Sequence, residues 1–183
     1  MDKKASTKEE RRLQLKRDIK IGWLFIFIGF FAFIAFVYSG RKYNLTFIQL
    51  KYILLGSLLA GLTIGTLILN YSKRTNGKSF NTWKHYLWAS LVYGSLFCGV
   101  FFWTNSHFSK SNSYIVKTPI LARLETFRYS HIYVTVNIDD IEKDISVPNV
   151  EMSEVTNSNF VILNLKRGFW GFTFIVDKKL SKY

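Results

Sequence analysis

Residues 21–39 read IGWLFIFIGFFAFIAFVYS, nineteen consecutive residues without a charge. A helix rises about 1.5 Å per residue, so this stretch reaches roughly 30 Å, the thickness of the hydrocarbon in a bilayer. Two later runs, 46–69 and 83–104, have the same character. The amino-terminal half therefore reads as three transmembrane helices. The first run exceeds the roughly 7–15 apolar residues of a secretory leader, and bulky Phe36 and Tyr38 crowd the one cleavage-like site. It reads as an uncleaved anchor.

Before it, residues 1–20 are polar and carry eight lysines and arginines. Ser6-Thr7-Lys8-Glu9 has the spacing of a capping box, which predicts a helix merging into the first span. Arg11, Arg12, Lys16, Arg17 and Lys20 are then placed to meet anionic lipid headgroups, at about 1 kcal/mol each near such a leaflet. A cytoplasmic docking arm is the alternative reading. Between the spans, Gly40–Asn44 reads as a short polar turn and 70–82 as a polar loop with an Asn76-Gly77 turn signal. Trp23, Tyr71, Trp83 and Tyr86 fall near one membrane face, and Tyr38, Tyr43, Tyr52 and Trp103 near the other, as aromatic belts require.

The positive-inside rule sets the orientation. The amino terminus and the second loop share a side and hold 12 Lys/Arg, against six for the first loop and the twenty residues after the third span. This predicts a multi-pass protein of the plasma (inner) membrane, with a cytoplasmic amino terminus and an extracytoplasmic carboxyl-terminal domain.

After a polar linker at 105–113 the hydrophobic period shortens from helix to strand. Ile132, Val134, Val136 and Ile138 alternate with polar residues, the pattern of a half-buried strand. Tyr114–Glu125 is β-rich but broken by Pro119, which predicts an edge or two short pieces. Asp139-Asp140 begins a turn, 144–147 returns, 148–159 reads as a loop, and 160–165 and 172–176 complete the set. Gly168 and Gly171 bracket the last connection and fit a hairpin that needs positive φ. The fold class is thus an α-helical membrane protein with three transmembrane helices plus a small all-β antiparallel domain at 114–183, read as one sheet of about five strands. With no disulfide, a core that small should lean on the membrane surface, another copy or a partner.

The chain has 183 residues and a formal charge of +13. Residues 1–109 carry 15 Lys/Arg against four acids, and the remainder ten against eight. The basic excess belongs to the membrane half, which points to anionic headgroups and away from nucleic acid. Cys98 is the sole cysteine and lies mid-span, so intramolecular disulfides and cysteine-rich zinc sites are excluded. Between Asp18 and Glu125 no acid occurs, which disfavours an ion-coupled carrier.

Enzyme signatures are absent, and neither a cofactor nor a metal is expected. His85 reads as an interfacial side chain. Asp139, Asp140, Glu142 and Asp144 read as a solvated turn, since they lack the glycine and terminal glutamate of a calcium loop.

Two features remain as interaction candidates. Ser57, Gly61 and Gly65 recur every four residues in the second span, and Ser90, Gly94, Ser95 and Gly99 repeat the spacing in the third. Such faces let helices approach closely, either within one chain or between copies. Lys166, Arg167, Phe169 and Trp170 form an aromatic, basic hairpin suited to an interface or a protein contact. The expected function is a non-enzymatic accessory, adaptor or protective subunit that presents the β-domain to a protein partner or a homo-oligomer. A ligand-binding sensor whose helices oligomerise is the second reading, and an oligomeric pore or transporter the third.

Overall fold

The computed structural model describes residues 3–76, 82–110, 112–126, 131–147 and 150–182. Helix α1 spans Lys3–Leu45, α2 spans Leu50–Asn76 and α3 spans Thr82–His107. Within them Gly22–Leu45, Leu50–Tyr71 and Trp83–His107 are long and apolar enough to cross a membrane. Phe25, Ile26, Phe27, Phe30, Phe31 and Phe33 all lie more than half exposed on α1. An apolar surface of that extent needs lipid to cover it. Helix α3 is central, with a third of its span buried against 11% for the first and 17% for the second. Both α1 and α2 pack on it.

Two boundaries differ from the sequence reading. Residues 40–44 continue α1 as helix where a turn was expected. The second helix begins at Leu50, and Thr46–Gln49 forms the connector. The reason is tertiary: the connector is bonded to the β-domain, as described below. Gly77, the second half of the expected Asn-Gly turn, lies outside the described residues.

The β-domain has six strands: β1 Ser113–Pro119, β2 Ala122–Thr126, β3 His131–Ile138, β4 Ile141–Val147, β5 Phe160–Arg167 and β6 Thr173–Ser181. They form two antiparallel three-stranded sheets, ordered β1-β5-β6 and β2-β3-β4, where a single sheet was expected. The division occurs at Pro119. Proline cannot donate to a ladder, and past it the chain changes partner: Ile120 N donates to Asn159 O at 3.0 Å and Leu121 N to Thr135 O at 2.9 Å. The 148–159 stretch, expected as loop, contains the one-turn helix α4, Met152–Thr156. Its Val155 is fully buried, and Arg123 donates through Nε to Val155 O and through Nη2 to Ser158 O.

The inner faces of the sheets share one core. Val134, Val136, Val155, Leu163 and Leu165 have no accessible surface. Phe47, from the α1–α2 connector, joins that core at 3% exposure. The small sandwich thus leans on its own membrane domain. Burying one phenylalanine contributes about 1.5–3 kcal/mol.

Candidate functional site

The candidate site is built around two junctions that fix the sandwich to the helices. The first is at the end of α1. A helix leaves its last carbonyls without intrahelical donors. Thr46 Oγ1 donates to Lys42 O at 2.8 Å, and Thr46 N to Tyr43 O at 3.1 Å. Lys143 of β4 reaches in and donates through Nζ to both Tyr43 O and Thr46 O. Its ammonium lies 4.0 Å from the centre of the Tyr43 ring. A cation at a helix carboxyl end also meets the negative pole of the helix dipole. Burial pulls the Lys143 pKa from 10.5 down to about 8. Beside this cap Phe47 N donates to Thr173 O at 2.8 Å, and Thr46 pairs with Phe174, so the connector extends the edge of β6.

The second junction is at the end of α3. Asn105 is 1% exposed and spans the β5–β6 turn. Its Nδ2 donates to Phe172 O at 3.2 Å, its Oδ1 accepts from Trp170 N at 3.1 Å, and its carbonyl accepts from Phe169 N at 3.0 Å. Trp170 Nε1 donates to Thr104 Oγ1 at 2.8 Å, and its ring stacks on Phe101 with centroids 6.3 Å apart. Phe169 meets Phe108 edge-on at 6.2 Å, and Ser109 Oγ donates to Arg167 O at 2.6 Å. Gly168 has no room for a side chain, because a Cβ there would enter the Asn105 side chain. Of the two turn glycines only Gly171, at φ 87°, uses positive φ. Gly168 serves close approach instead.

The sequence-predicted hairpin is therefore a junction, with Phe169 and Trp170 still 57% and 54% exposed on its outer side. Lys166 points away from the core on β5.

The small-residue faces meet each other. A Cβ on Gly61 would collide with the Ser90 backbone; one on Gly65 would lie 2.8 Å from Ala89 Cβ, and one on Gly94 2.9 Å from Ser57 O. Gly99 takes the other side of α3, where a Cβ would approach Ala35 Cβ of α1 to 2.7 Å. Ser95 Oγ bonds back to Leu91 O at 2.6 Å, and Ser57, Thr63 and Thr66 likewise bond to carbonyls of their own helix. His85 Nε2 donates to Gly65 O at 2.8 Å, across the α2–α3 seam. A lipid-facing groove of about 330 Å³ runs between α1 and α3, lined by Phe31, Ile34, Tyr38 and Trp103 among others. Its walls are apolar and suit an acyl chain.

Lys20 is exposed on α1. The side chains of Arg11, Arg12, Lys16 and Arg17 lie outside the described residues. Among the described residues no three His, Cys, Asp or Glu side chains converge as a metal site.

Sequence reasoning missed Phe47, Lys143 and Asn105. A signal existed for Lys143, since the alternation Ile141, Lys143, Ile145, Val147 puts a lysine at a core-facing position. Asn105 was readable only as linker, and Phe47 only as part of the second span. No protein-family model, curated protein or solved structure matches this chain.

Proposed function

We propose that this chain is a non-enzymatic, multi-pass protein of the plasma membrane, an accessory or adaptor subunit. It holds a β-sandwich at the outer surface for contact with another protein. Its amino terminus is cytoplasmic, with the basic segment on anionic headgroups, and residues 113–182 are extracytoplasmic. The observation that carries this reading is the double junction. Lys143 and Phe47 tie the sandwich to the α1–α2 connector, and Asn105 ties it to α3. A domain held at two points presents its free faces at a fixed height and angle, which lowers the ordering cost of binding. The small-residue helix faces are occupied within the chain, so the surface offered to a partner is the sheets' outer faces together with the outer side of Phe169 and Trp170. The sandwich interior is filled by its own side chains, which favours a docking face over a ligand pocket.

The test has two arms. A compartment reporter fused after Tyr183 is expected to be active outside the cytoplasm; activity inside reverses the orientation. A photo-crosslinker at exposed Ile115 or Leu124 is expected to capture one defined protein in intact membranes, identified by mass spectrometry. Labelling of lipid alone at both positions refutes the adaptor role.

A further inference from the structure

The near-balance of charge in the β-domain conceals a segregation. On the β1-β5-β6 sheet, the residues alternating with buried Val161, Leu163 and Leu165 point outward. By register these include Lys117, Lys166 and Lys179, with Ile115 and Ile162 between them and Asp177 as the acid of the set. On the β2-β3-β4 sheet the outward register holds Leu124, Tyr133, Glu142 and Asp144, and the β3–β4 turn adds Asp139 and Asp140. All four of those acids are exposed, as are Lys117 and Lys179. The described cations of this second sheet, Arg123 and Lys143, lie at inward register and are bonded to carbonyls. Among the described residues one outer face is therefore basic and the opposite one acidic. Each also has an exposed apolar centre, Ile115 at 74% and Leu124 at 48% exposure.

We propose that these faces bind each other between copies, the basic face of one chain against the acidic face of the next. This rests on the reading of the sandwich as a protein-docking surface and names a second copy as its occupant. Three arguments support it. The charges are complementary, and like faces repel, so the contact is face-to-opposite-face. An apolar centre with a charged rim is the usual anatomy of a specific interface. Copies threaded through one membrane in the same sense share an orientation, and pairing unlike faces requires neither copy to be inverted. Such a contact is heterologous and continues into an array unless the rotation between copies closes a ring.

Each face is about 14 Å wide and about 23 Å long, from three strands averaging about seven residues. That is small for a stable interface and fits a weak contact reinforced by confinement to the membrane.

The experiment uses the full-length protein reconstituted in lipid vesicles, which keep the confinement, with self-association measured by energy transfer between donor- and acceptor-labelled copies. Wild type is expected to self-associate at about 50 mM salt and to weaken about tenfold by about 500 mM, where charges are screened within a few ångströms. The variant Lys117→Glu/Lys179→Glu has two acidic faces, and Asp139→Asn/Asp140→Asn/Glu142→Lys/Asp144→Lys has two basic ones. Each alone should associate at least about tenfold more weakly than wild type, and an equimolar mixture should recover assembly. Recovery on mixing is a result that misfolded chains cannot give. The neutral variant Lys117→Gln/Lys179→Gln, which introduces no repulsion, should weaken association less and lose most of the salt dependence. Wild type that stays monomeric at low salt overturns the proposal, as do reversed variants that assemble unaided or a mixture of folded variants that stays apart. Capture of a different protein in the crosslinking experiment is read separately, so self-association can fail while the adaptor role stands.

Discussion

Three side chains, Lys143, Asn105 and Phe47, account for how a small sandwich with no disulfide is held. Each works across a long sequence separation: Lys143 caps Tyr43 a hundred residues earlier, and Asn105 bonds Phe172 sixty-seven residues later. Asn105→Ala leaves the Trp170 amide without its partner and takes one of two donors from the Phe172 carbonyl, which keeps Gly168 N, at a cost of about 1–3 kcal/mol. Thermal unfolding in detergent, followed by Trp fluorescence, should report the loss. Lys143→Met keeps the length of the side chain but removes the ammonium's two bonds, leaving Tyr43 O and Thr46 O with their backbone donors alone, and should cost about 1–3 kcal/mol at pH 7. The pH dependence follows from burial. The unfolded lysine holds its proton to about 10.5 and the folded one releases it near 8. The folded state thus binds fewer protons in that window, so stability should rise from pH 8 toward 10, and the Lys143→Met profile should rise less, keeping only the share of Lys178, whose pKa burial also lowers. A fall in wild-type melting temperature confined to that window would contradict the assignment.

At the scale of elements, sequence and structure agree where the signal is local. Three apolar runs identify three helices, because length and composition alone decide whether a helix can span. Strand β3 shows its period directly. Pro119 marks the corner between β1 and β2, although the alternation does not reveal that the two pieces enter different sheets. Helix ends were illegible, because the residues that set them come from the other domain. Phe47 sits in an apolar run and reads as span, yet it is a core residue of the sandwich. The charge segregation was hidden for a different reason: a net count averages over faces that only strand register separates.

Two predictions belong at this scale. Gly61→Leu forces side-chain atoms into the Ser90 backbone and should destabilise the α2–α3 pair by at least about 1–3 kcal/mol. Unfolding in mixed micelles at rising SDS fraction measures it. Asp139 and Asp140 hold φ of 52° and 60°, the two left-handed positions of a tight hairpin. Asp140→Gly should stabilise that turn by up to about 1 kcal/mol, seen as a higher melting temperature.

For the whole molecule, the account is that the membrane helices and the sandwich behave as one body. The ends of α1 and α3 are built into the sandwich through backbone hydrogen bonds as well as side chains. A tethered domain on a free linker would instead sample many angles and present no defined surface. The direct measurement is hydrogen exchange on the full-length protein in lipid nanodiscs, read at single amides. The amides of Phe47 and Trp170 bridge the two junctions, to Thr173 O and Asn105 Oδ1. They should exchange as slowly as the core amides of β5, because opening either junction requires opening the sandwich. Rapid exchange at Phe47 and Trp170 beside a protected β5 would mean that the domain hangs loosely from the helices, and would contradict the account.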